Sequence, residues 1–365
     1  MAIELFKVQP DYATKPGAIL KETISDLGMT QVEVARRLEI TPKHLSEIIN
    51  GKAPINVKLA TKLEFIFNLP AKFWLNLETN YATNRERIKH DNDLVNQSEW
   101  ISKFNYAELA NKGFVPKTRK PSEKLNNLLK FFRFPNFETL KNNLENDVLL
   151  NGAYRITRKQ GKIDKYALSA WIQQGTKEAE RIKTNEFNRN LAKESVDEFR
   201  KLVIEDDPKI FVPKMIDIAK KFGVAVVFVP EIKGSRVSGL TRWMTPYHKA
   251  IIQLSLRYKT NDALWFTFFH ELAHIILHKK EMFINGYSDA DKEEEANDWA
   301  ANVLIPKDNW NNFISETNNF SKTNIINFAD SICIHPGIVV GRLQREKIIP
   351  YNRFNHCKIF YKWNI

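Results

Sequence analysis

The stretch from Ala263 to Leu277 is almost entirely apolar, yet it contains His270, Glu271 and His274. It is shorter than the roughly 18 apolar residues that a membrane-spanning helix needs, so we expect it to form a core helix. Burying two imidazoles and a carboxylate among aromatic side chains is costly unless these groups bind a metal or other polar partners. The fold of this region must therefore be built around a polar site.

The polar residues form the pattern His270-Glu271-Leu272-Ala273-His274. Residues i and i+4 of a helix lie on one face about one turn apart. Both imidazoles can therefore bind a single zinc ion, at roughly 2.0–2.1 Å. Glu271 can take a proton from the attacking water, which is the general-base arrangement of zinc peptidases. His278 lies about 12 Å along the axis from His270, so we expect it to pack against or support the site.

A third metal ligand is expected from the acidic segment 292–300, which has the composition of a helix. It contains three consecutive glutamates, Glu293, Glu294 and Glu295. Three consecutive helical positions span about 200°, so at most one or two of these carboxylates can face the metal. Glu293 shares a helix face with Asn297, but spacing alone does not choose among the three.

Residues from about 16 to 80 have the pattern of five short amphipathic helices separated by tight turns. Two of them, with Thr30 and Thr41 as predicted N-caps, are joined by a turn short enough for a helix-turn-helix. The alternative is a helical bundle whose second helix only packs against the rest. The side chains expected at a DNA surface are Thr41, Lys43, His44 and Ser46 for base edges, and Gln31, Asn50 and Lys52 for phosphates.

Residues 16–85 resemble the HigA-type antitoxins of the Xre helix-turn-helix family, through the segments 16–21, 46–52 and 73–77. This resemblance implies sequence-specific binding to an operator, usually as a dimer. Residues 210–345 resemble the ImmA/IrrE metallopeptidase family, through the segments 265–274, 293–301 and 304–306. The second resemblance implies zinc bound by His270, His274 and Glu293, because the family places its ligand glutamate four residues before the asparagine.

Apolar runs rich in β-branched residues at 223–230 and 250–256 are predicted strands, followed by helices at about 261–280 and 290–304. The fold class is thus mainly α with a small β-sheet. We predict a helix-turn-helix domain at 1–85, a helical linker domain at 86–205, a zincin-like α+β metallopeptidase domain at 206–345 and a tail at 346–365. His335 and Arg342 could approach the cleft, but His335-Pro336-Gly337 has the pattern of a helix start, so we predict structural roles for both.

Composition limits where such a protein can act. The chain has only two cysteines, Cys333 and Cys357, which excludes a disulfide framework and favours a reducing compartment. The first residues lack the basic and apolar segments of a secretory signal. The formal net charge of +12 gives modest support to an anionic partner such as DNA. We therefore expect a cytoplasmic protein with no membrane segment.

Together these patterns predict a homodimeric DNA-binding transcriptional regulator, antitoxin-like, whose zinc endopeptidase domain cleaves another regulator or the chain itself. Glu271 is the predicted general base. The alternative is a DNA-binding regulator or antitoxin whose peptidase-like domain is a zinc-stabilised sensor without turnover.

Overall fold

A computed structural model of the chain describes residues 14–95, 98–146, 163–244, 249–278, 283–284, 290–317 and 319–363. The chain divides into two compact units, Met1–Glu99 and Trp100–Ile365. Within the described ranges, no helix has both the length and the apolar character needed to cross a membrane.

In the described residues 14–95, the first unit is a bundle of five helices, as the sequence predicts. They are α1 (Pro16–Asp26), α2 (Gln31–Arg37), α3 (Pro42–Ile49), α4 (Val57–Phe67) and α5 (Ala71–Val95). Each helix contributes apolar side chains to one core, represented by Leu20, Ala35, Leu45, Leu63 and Trp74. The small residue Ala35 is fully buried in α2, as expected for a close crossing between two helices.

Side-chain caps and one glycine fix the positions of α1 to α3. The Thr30 hydroxyl accepts a hydrogen bond from the Glu33 N–H at 3.2 Å, and the Thr41 hydroxyl accepts one from the His44 N–H at 3.1 Å. Both predicted N-caps are confirmed. A Cβ at Gly17 would lie 2.3 Å from the carbonyl oxygens of Ile48 and Ile49. Because only glycine avoids this clash, α1 can cross the end of α3 at very close range.

The short helix α6 (Ser98–Ile101) is followed by the helical part of the second unit. Its helices are α7 (Tyr106–Asn111), α8 (Pro121–Phe132), α9 (Phe137–Glu145), α10 (Lys165–Arg181), α11 (Arg189–Glu194), α12 (Val196–Leu202) and α13 (Pro208–Lys221). Aromatic edge contacts link this region, with Phe104 against Trp100 at 5.2 Å and against Tyr166 at 5.2 Å between ring centroids.

In its described residues, the rest of the second unit contains the sheet and five further α-helices. The strands are β1 (Val224–Phe228), β2 (Gly239–Met244), β3 (Lys249–Leu254) and β4 (Phe283–Ile284). The helices are α14 (Asn261–Leu277), α15 (Ala290–Leu304), α16 (Lys307–Glu316), α17 (Lys322–Ser331) and α18 (Pro336–Arg345). The strand order is β1-β3-β2-β4, with β1 parallel to β3 and β2 antiparallel to both of its neighbours.

Helices pack on both faces of the sheet. From β2, the Thr241 hydroxyl donates a hydrogen bond to the Glu271 carbonyl of α14 at 2.9 Å. From β3, the Gln253 side-chain amide donates one to the Trp171 carbonyl of α10 at 2.7 Å. Burial on both faces explains why β1 and β3 are continuous apolar runs rather than alternating ones. It also places α14 against the sheet, with its polar residues inside the molecule.

The predicted fold class is confirmed: the chain is mainly α with a small sheet near the C-terminal part. The runs at 223–230 and 250–256 form β1 and β3. No sequence pattern marks β4, which has only two residues. On the side away from β3, Leu240 and Thr241 of β2 pair with β4. The proposed domain boundaries at 85, 205 and 345 remain predictions.

Candidate metal centre and nucleic-acid interface

The two histidines of α14 meet at the centre of the second unit. The Nε2 atoms of His270 and His274 are 3.1 Å apart, and both side chains are completely buried. Their i and i+4 spacing on one helix places them one turn apart on the same face. A buried pair of nitrogen atoms at this distance can bind one cation.

A carboxylate from α15 completes the cluster. The two Glu293 carboxylate oxygens lie 3.3 Å from His270 Nε2 and 3.4 Å from His274 Nε2. The next two glutamates, Glu294 and Glu295, have exposed side chains. Of the three glutamates that the sequence leaves open, the structure thus brings Glu293 to the histidines.

The geometry of this donor set fits zinc. The two Nε2 atoms are 3.1 Å apart, and each lies 3.3–3.4 Å from a different oxygen of the Glu293 carboxylate. The edges of a tetrahedron whose corners lie about 2.0–2.1 Å from its centre are about 3.3–3.4 Å. Two imidazole nitrogens and one carboxylate are also the donor types of catalytic zinc sites, which have a fourth position open to water or substrate.

Further polar groups orient both imidazole rings. His270 Nδ1 is 3.1 Å from the Asn297 side-chain oxygen, and His274 Nδ1 is 2.8 Å from His278 Nδ1. His278 Nε2 is in turn 3.0 Å from a Glu295 carboxylate oxygen. If His274 Nε2 is the metal donor, its Nδ1–H donates to His278, and the His278 Nε2–H donates to Glu295. Each imidazole therefore has a partner that fixes its metal-binding tautomer.

His278 supports the site, as we expect from the sequence, but it does so through a contact with His274 that the sequence does not predict. Helix α14 ends at Leu277, and His278 is its extended C-cap residue, with φ of −98° and ψ of 175°. The side chain is 6% exposed and contacts His274 rather than the more distant His270. Its partner Glu295 is absent from our sequence-based site, because no spacing rule links residues on two helices joined by a loop.

Burial lowers the pKa of His274 to about 4, although its hydrogen bond with Glu293 acts in the opposite direction. The imidazole is therefore neutral near pH 7. A neutral imidazole offers a lone pair to a metal, whereas a protonated one cannot. The electrostatics of the cluster thus agree with its geometry.

Glu271 lies between the two histidines in sequence and is completely buried. Strand β2 passes directly over its carboxylate, because a Cβ at Gly239 would lie 2.5 Å from Glu271 Oε1. The backbone carbonyl of Glu271 accepts the hydrogen bond from Thr241. Gly239 thus lies against the carboxylate and Thr241 fixes the backbone of Glu271, and neither was among the site residues expected from sequence.

A cavity of about 1050 Å³ adjoins the cluster. Its lining includes Glu293 and Asn297 from α15 and Phe266 and Thr267 from α14. This volume is at the upper end of the usual range for ligand sites. The candidate metal cluster therefore borders this cleft through Glu293.

His335 and Arg342 have the structural roles that the sequence predicts. His335 caps α18, since its Nδ1 accepts a hydrogen bond from the Gly337 N–H at 3.0 Å. The Arg342 guanidinium donates to the Ile305 carbonyl at 2.9 Å and pairs with Glu346 at 2.8 Å. Arg342 also lines the cleft, and these bonds engage its Nε and one of its two Nη atoms.

The residues expected at DNA lie around α3 in the first unit. Six are exposed and His44 is partly buried; the exposed ones are Gln31, Thr41, Lys43, Ser46, Asn50 and Lys52. Two of them also bond within the protein: the Thr41 hydroxyl caps α3, and the Asn50 amide donates to the Ser46 carbonyl at 2.8 Å. Lys43 at the start of α3 and Lys52 beyond its end form no ion pair with any described residue. The N-terminal turn of α3 is thus available for contacts with a groove.

Two families match this chain. Residues 20–74 match the helix-turn-helix family, and residues 218–325 match the IrrE N-terminal-like domain of peptidase family M78. The first match contains α2 and α3, and the second contains the histidines and Glu293.

Individual relatives and solved structures match about a fifth of the chain. Virulence-associated protein A′ of Dichelobacter nodosus is 43% identical over 67 residues, 18% of this chain and 58% of that protein. The chain therefore spans less than two thirds of this relative's length. The HTH-type transcriptional regulator YddM of Escherichia coli K12 is 32% identical over 68 residues, 19% of this chain and 72% of that protein. A solved HigA-family addiction module antidote protein from Coxiella burnetii is 28% identical, covering 23% of this chain and 91% of its own, with a TM-score of 0.22.

Proposed function

Because this chain belongs to the helix-turn-helix family of transcriptional regulators and carries an IrrE N-terminal-like domain, we propose that it is an operator-binding regulator with a zinc endopeptidase domain. The substrate is another regulator or the chain itself. The observation that carries the peptidase assignment is the buried cluster of His270, His274 and Glu293, with Glu271 on the same helix as the histidines.

In this proposal His270, His274 and Glu293 hold the zinc. The ion, when bound, supplies a Lewis acid that polarises the scissile carbonyl and acidifies water. Glu271 takes a proton from the attacking water and delivers it to the nitrogen of the leaving amine. Its burial under β2 keeps the carboxylate in a fixed position for both transfers. No other cofactor is needed for this reaction.

We propose that the first unit recognises the operator. In a helix-turn-helix the second helix enters the major groove, so Thr41, Lys43, His44 and Ser46 of α3 are proposed to face base edges. Gln31, Asn50 and Lys52 are proposed to bind phosphates. We further propose a homodimer on a palindromic site, because paired recognition helices then match two half-sites. A protein that acts on DNA in this way is expected in the cytoplasm.

The substrate is proposed on more general grounds. A peptidase joined to an operator-binding domain is brought close to other proteins at that operator, so a second repressor is the first candidate. The second candidate is the segment from about Lys117 to Lys165, in which residues 117, 119 and 120 are exposed, whereas α8 and α9 within it bury apolar side chains. Exposed polar segments are common sites of cleavage.

A cleavage assay with the full chain tests the proposal. The wild type, Glu271→Gln and Glu294→Gln would be loaded with zinc, and their metal content measured. Each would be incubated alone and with candidate repressors, and the products located by mass spectrometry. We expect cleavage by the wild type and by Glu294→Gln, and none by Glu271→Gln with its zinc retained. Zinc in all three proteins without cleavage by any of them would favour the alternative, a regulator whose peptidase-like domain is a sensor.

A further inference from the structure

The cleft beside the metal cluster contains arginines that are available to a ligand. Arg236, which precedes β2, and Arg345, which ends α18, both line it. Neither forms an ion pair with any residue in the described part of the chain. We propose that these two arginines select a peptide with acidic side chains near the bond to be cut. This inference rests on the proposed endopeptidase function and names its substrate class.

Arg345 is held on an aromatic surface close to the metal cluster. Its guanidinium carbon lies 3.9 Å from the centroid of the Phe266 ring, and that ring is 6.3 Å from the His270 ring. Stacking covers one face of the guanidinium and leaves its N–H groups directed outward in a plane. A carboxylate accepts two such N–H groups side by side, which is the strongest common mode of carboxylate recognition.

The surroundings of Arg345 strengthen its attraction for an anion. Neighbouring atoms remove part of the water around the guanidinium, which lowers the pKa of Arg345, although Tyr351, Asp298 and Glu346 act in the opposite direction. The group stays charged at neutral pH. A charge that has lost part of its hydration gains more from an incoming carboxylate than a fully hydrated one does.

Arg236 occupies another part of the same cleft. Its backbone has a φ of 50°, in the left-handed region, and its carbonyl accepts a hydrogen bond from the Arg257 guanidinium. That bond fixes the turn from which the exposed Arg236 side chain projects. The turn lies three residues before Gly239, which packs against Glu271. Arg236 is therefore three residues from the strand position that packs against the proposed general base.

Of the acidic groups of the cleft, only Asp298 and Glu346 act on Arg345, and neither forms an ion pair with it among the described residues. Asp262 pairs with Lys358 at 2.7 Å, Glu346 pairs with Arg342 at 2.8 Å, and Glu293 is at the metal cluster. The exposed Asp298 is the acidic lining residue that no described ion pair engages. The cleft thus has an excess of positive charge. Because the proposed reaction brings a peptide here, carboxylate side chains are the anions that we expect it to bind.

Binding to an inactive variant tests this inference without requiring turnover. Full-length Glu271→Gln, loaded with zinc, would be titrated against fluorescent peptides that carry two neighbouring aspartates at successive positions. Matched peptides carry asparagines instead. We expect at least one aspartate peptide to bind about tenfold more tightly than its asparagine partner. Adding Arg345→Gln or Arg236→Gln should remove most of that difference.

Arg353→Gln is the matched control, because Arg353 also stacks on an aromatic ring, Phe354 at 4.8 Å, but does not line the cleft. It should keep the full preference for the aspartate peptide.

Equal binding of both peptides, or a preference that survives both cleft substitutions, would overturn the inference. Tight binding of inorganic phosphate with no peptide preference would overturn it too. If aspartate peptides bind but the wild type cleaves nothing, the acidic site stands and the endopeptidase proposal fails. If the wild type cleaves a substrate but shows no preference for aspartate peptides, the endopeptidase proposal stands and the acidic site fails.

Discussion

His274 is held in place by a short series of polar contacts. Its Nδ1 meets His278, and His278 meets the carboxylate of Glu295 at 3.0 Å. A carboxylate at the end of such a series favours the tautomer whose Nε2 can bind metal. The candidate metal site therefore includes supporting residues in addition to its three proposed ligands.

Replacing Glu295 with glutamine should weaken zinc binding without removing any ligand. Loss of the charged acceptor reduces the preference of His278 and His274 for the binding tautomer, so we expect the zinc dissociation constant to rise about 10–100-fold. Competition with a chromophoric chelator measures this constant. The control is Glu294→Gln, an exposed neighbour on the same helix. Equal affinities of the two variants would contradict this role for Glu295.

Gly239 limits where the Glu271 carboxylate can be. A Cβ at this position would lie 2.5 Å from Glu271 Oε1 and 2.5 Å from Thr267 Cγ2. Gly239→Ala should therefore displace the general base and reduce the rate of peptide cleavage by about 100-fold or more. The zinc content should stay near that of the wild type, because Gly239 does not contact the proposed ligands. Loss of zinc together with activity would mean that the substitution disturbs the whole site.

At the scale of elements, α3 combines a capped N-terminus with exposed polar side chains. The cap uses the Thr41 hydroxyl, so the first turn of α3 is fixed before any contact with DNA. Lys43 and Ser46 lie within or next to that turn, whereas Lys52 lies beyond the C-terminal end of the helix. We expect these positions to differ in what they contribute to binding.

Substitutions in and beyond α3 should separate specificity from affinity. Lys43→Ala and Ser46→Ala should reduce discrimination between operator and unrelated DNA, by about 1–3 kcal/mol for a base contact. Lys52→Ala should weaken binding to all sequences alike and lower its salt dependence. Fluorescence anisotropy with the promoter of this protein and with scrambled DNA, over a range of salt concentrations, measures both effects. A uniform loss from all three variants would contradict the assignment of base contacts.

At the scale of the whole molecule, the proposed metal connects segments that are far apart in sequence. His270 and His274 belong to α14, whereas Glu293 belongs to α15. An ion bound by all three stabilises the native state, because the unfolded chain does not hold these groups together. The thermal stability of the protein should therefore depend on whether the metal is bound.

Removing zinc should lower the melting temperature of the wild type. At a free zinc concentration of 100 times the dissociation constant, binding adds about 2.7 kcal/mol to the free energy of unfolding. For a domain of 150–250 residues this corresponds to a shift of roughly 5–10 °C. Differential scanning calorimetry with and without a chelator measures the shift. His274→Ala should show no response to the chelator, and a full response in that variant would exclude His274 as a ligand.

Periodicity within single segments is sufficient to predict much of this protein. The five predicted helices of the first unit and their caps Thr30 and Thr41 follow from spacing, and the strands β1 and β3 follow from short apolar runs rich in β-branched residues. The pairing of His270 with His274 follows in the same way, because the pitch of a helix places residues i and i+4 together. These features depend on local geometry that nearly any tertiary context preserves.

Only the tertiary structure brought one particular glutamate to the histidines. Spacing left Glu293, Glu294 and Glu295 open, and the family resemblance rather than geometry pointed to Glu293. Packing of α15 on α14 through the buried Ala296 and Ala300 turns the Glu293 face toward the cluster. The contact of Glu295 with His278, the approach of Gly239 to Glu271 and the arginines of the cleft arise in the same way. Such contacts join distant segments, and their distances depend on how loops and side chains pack, which no local pattern encodes.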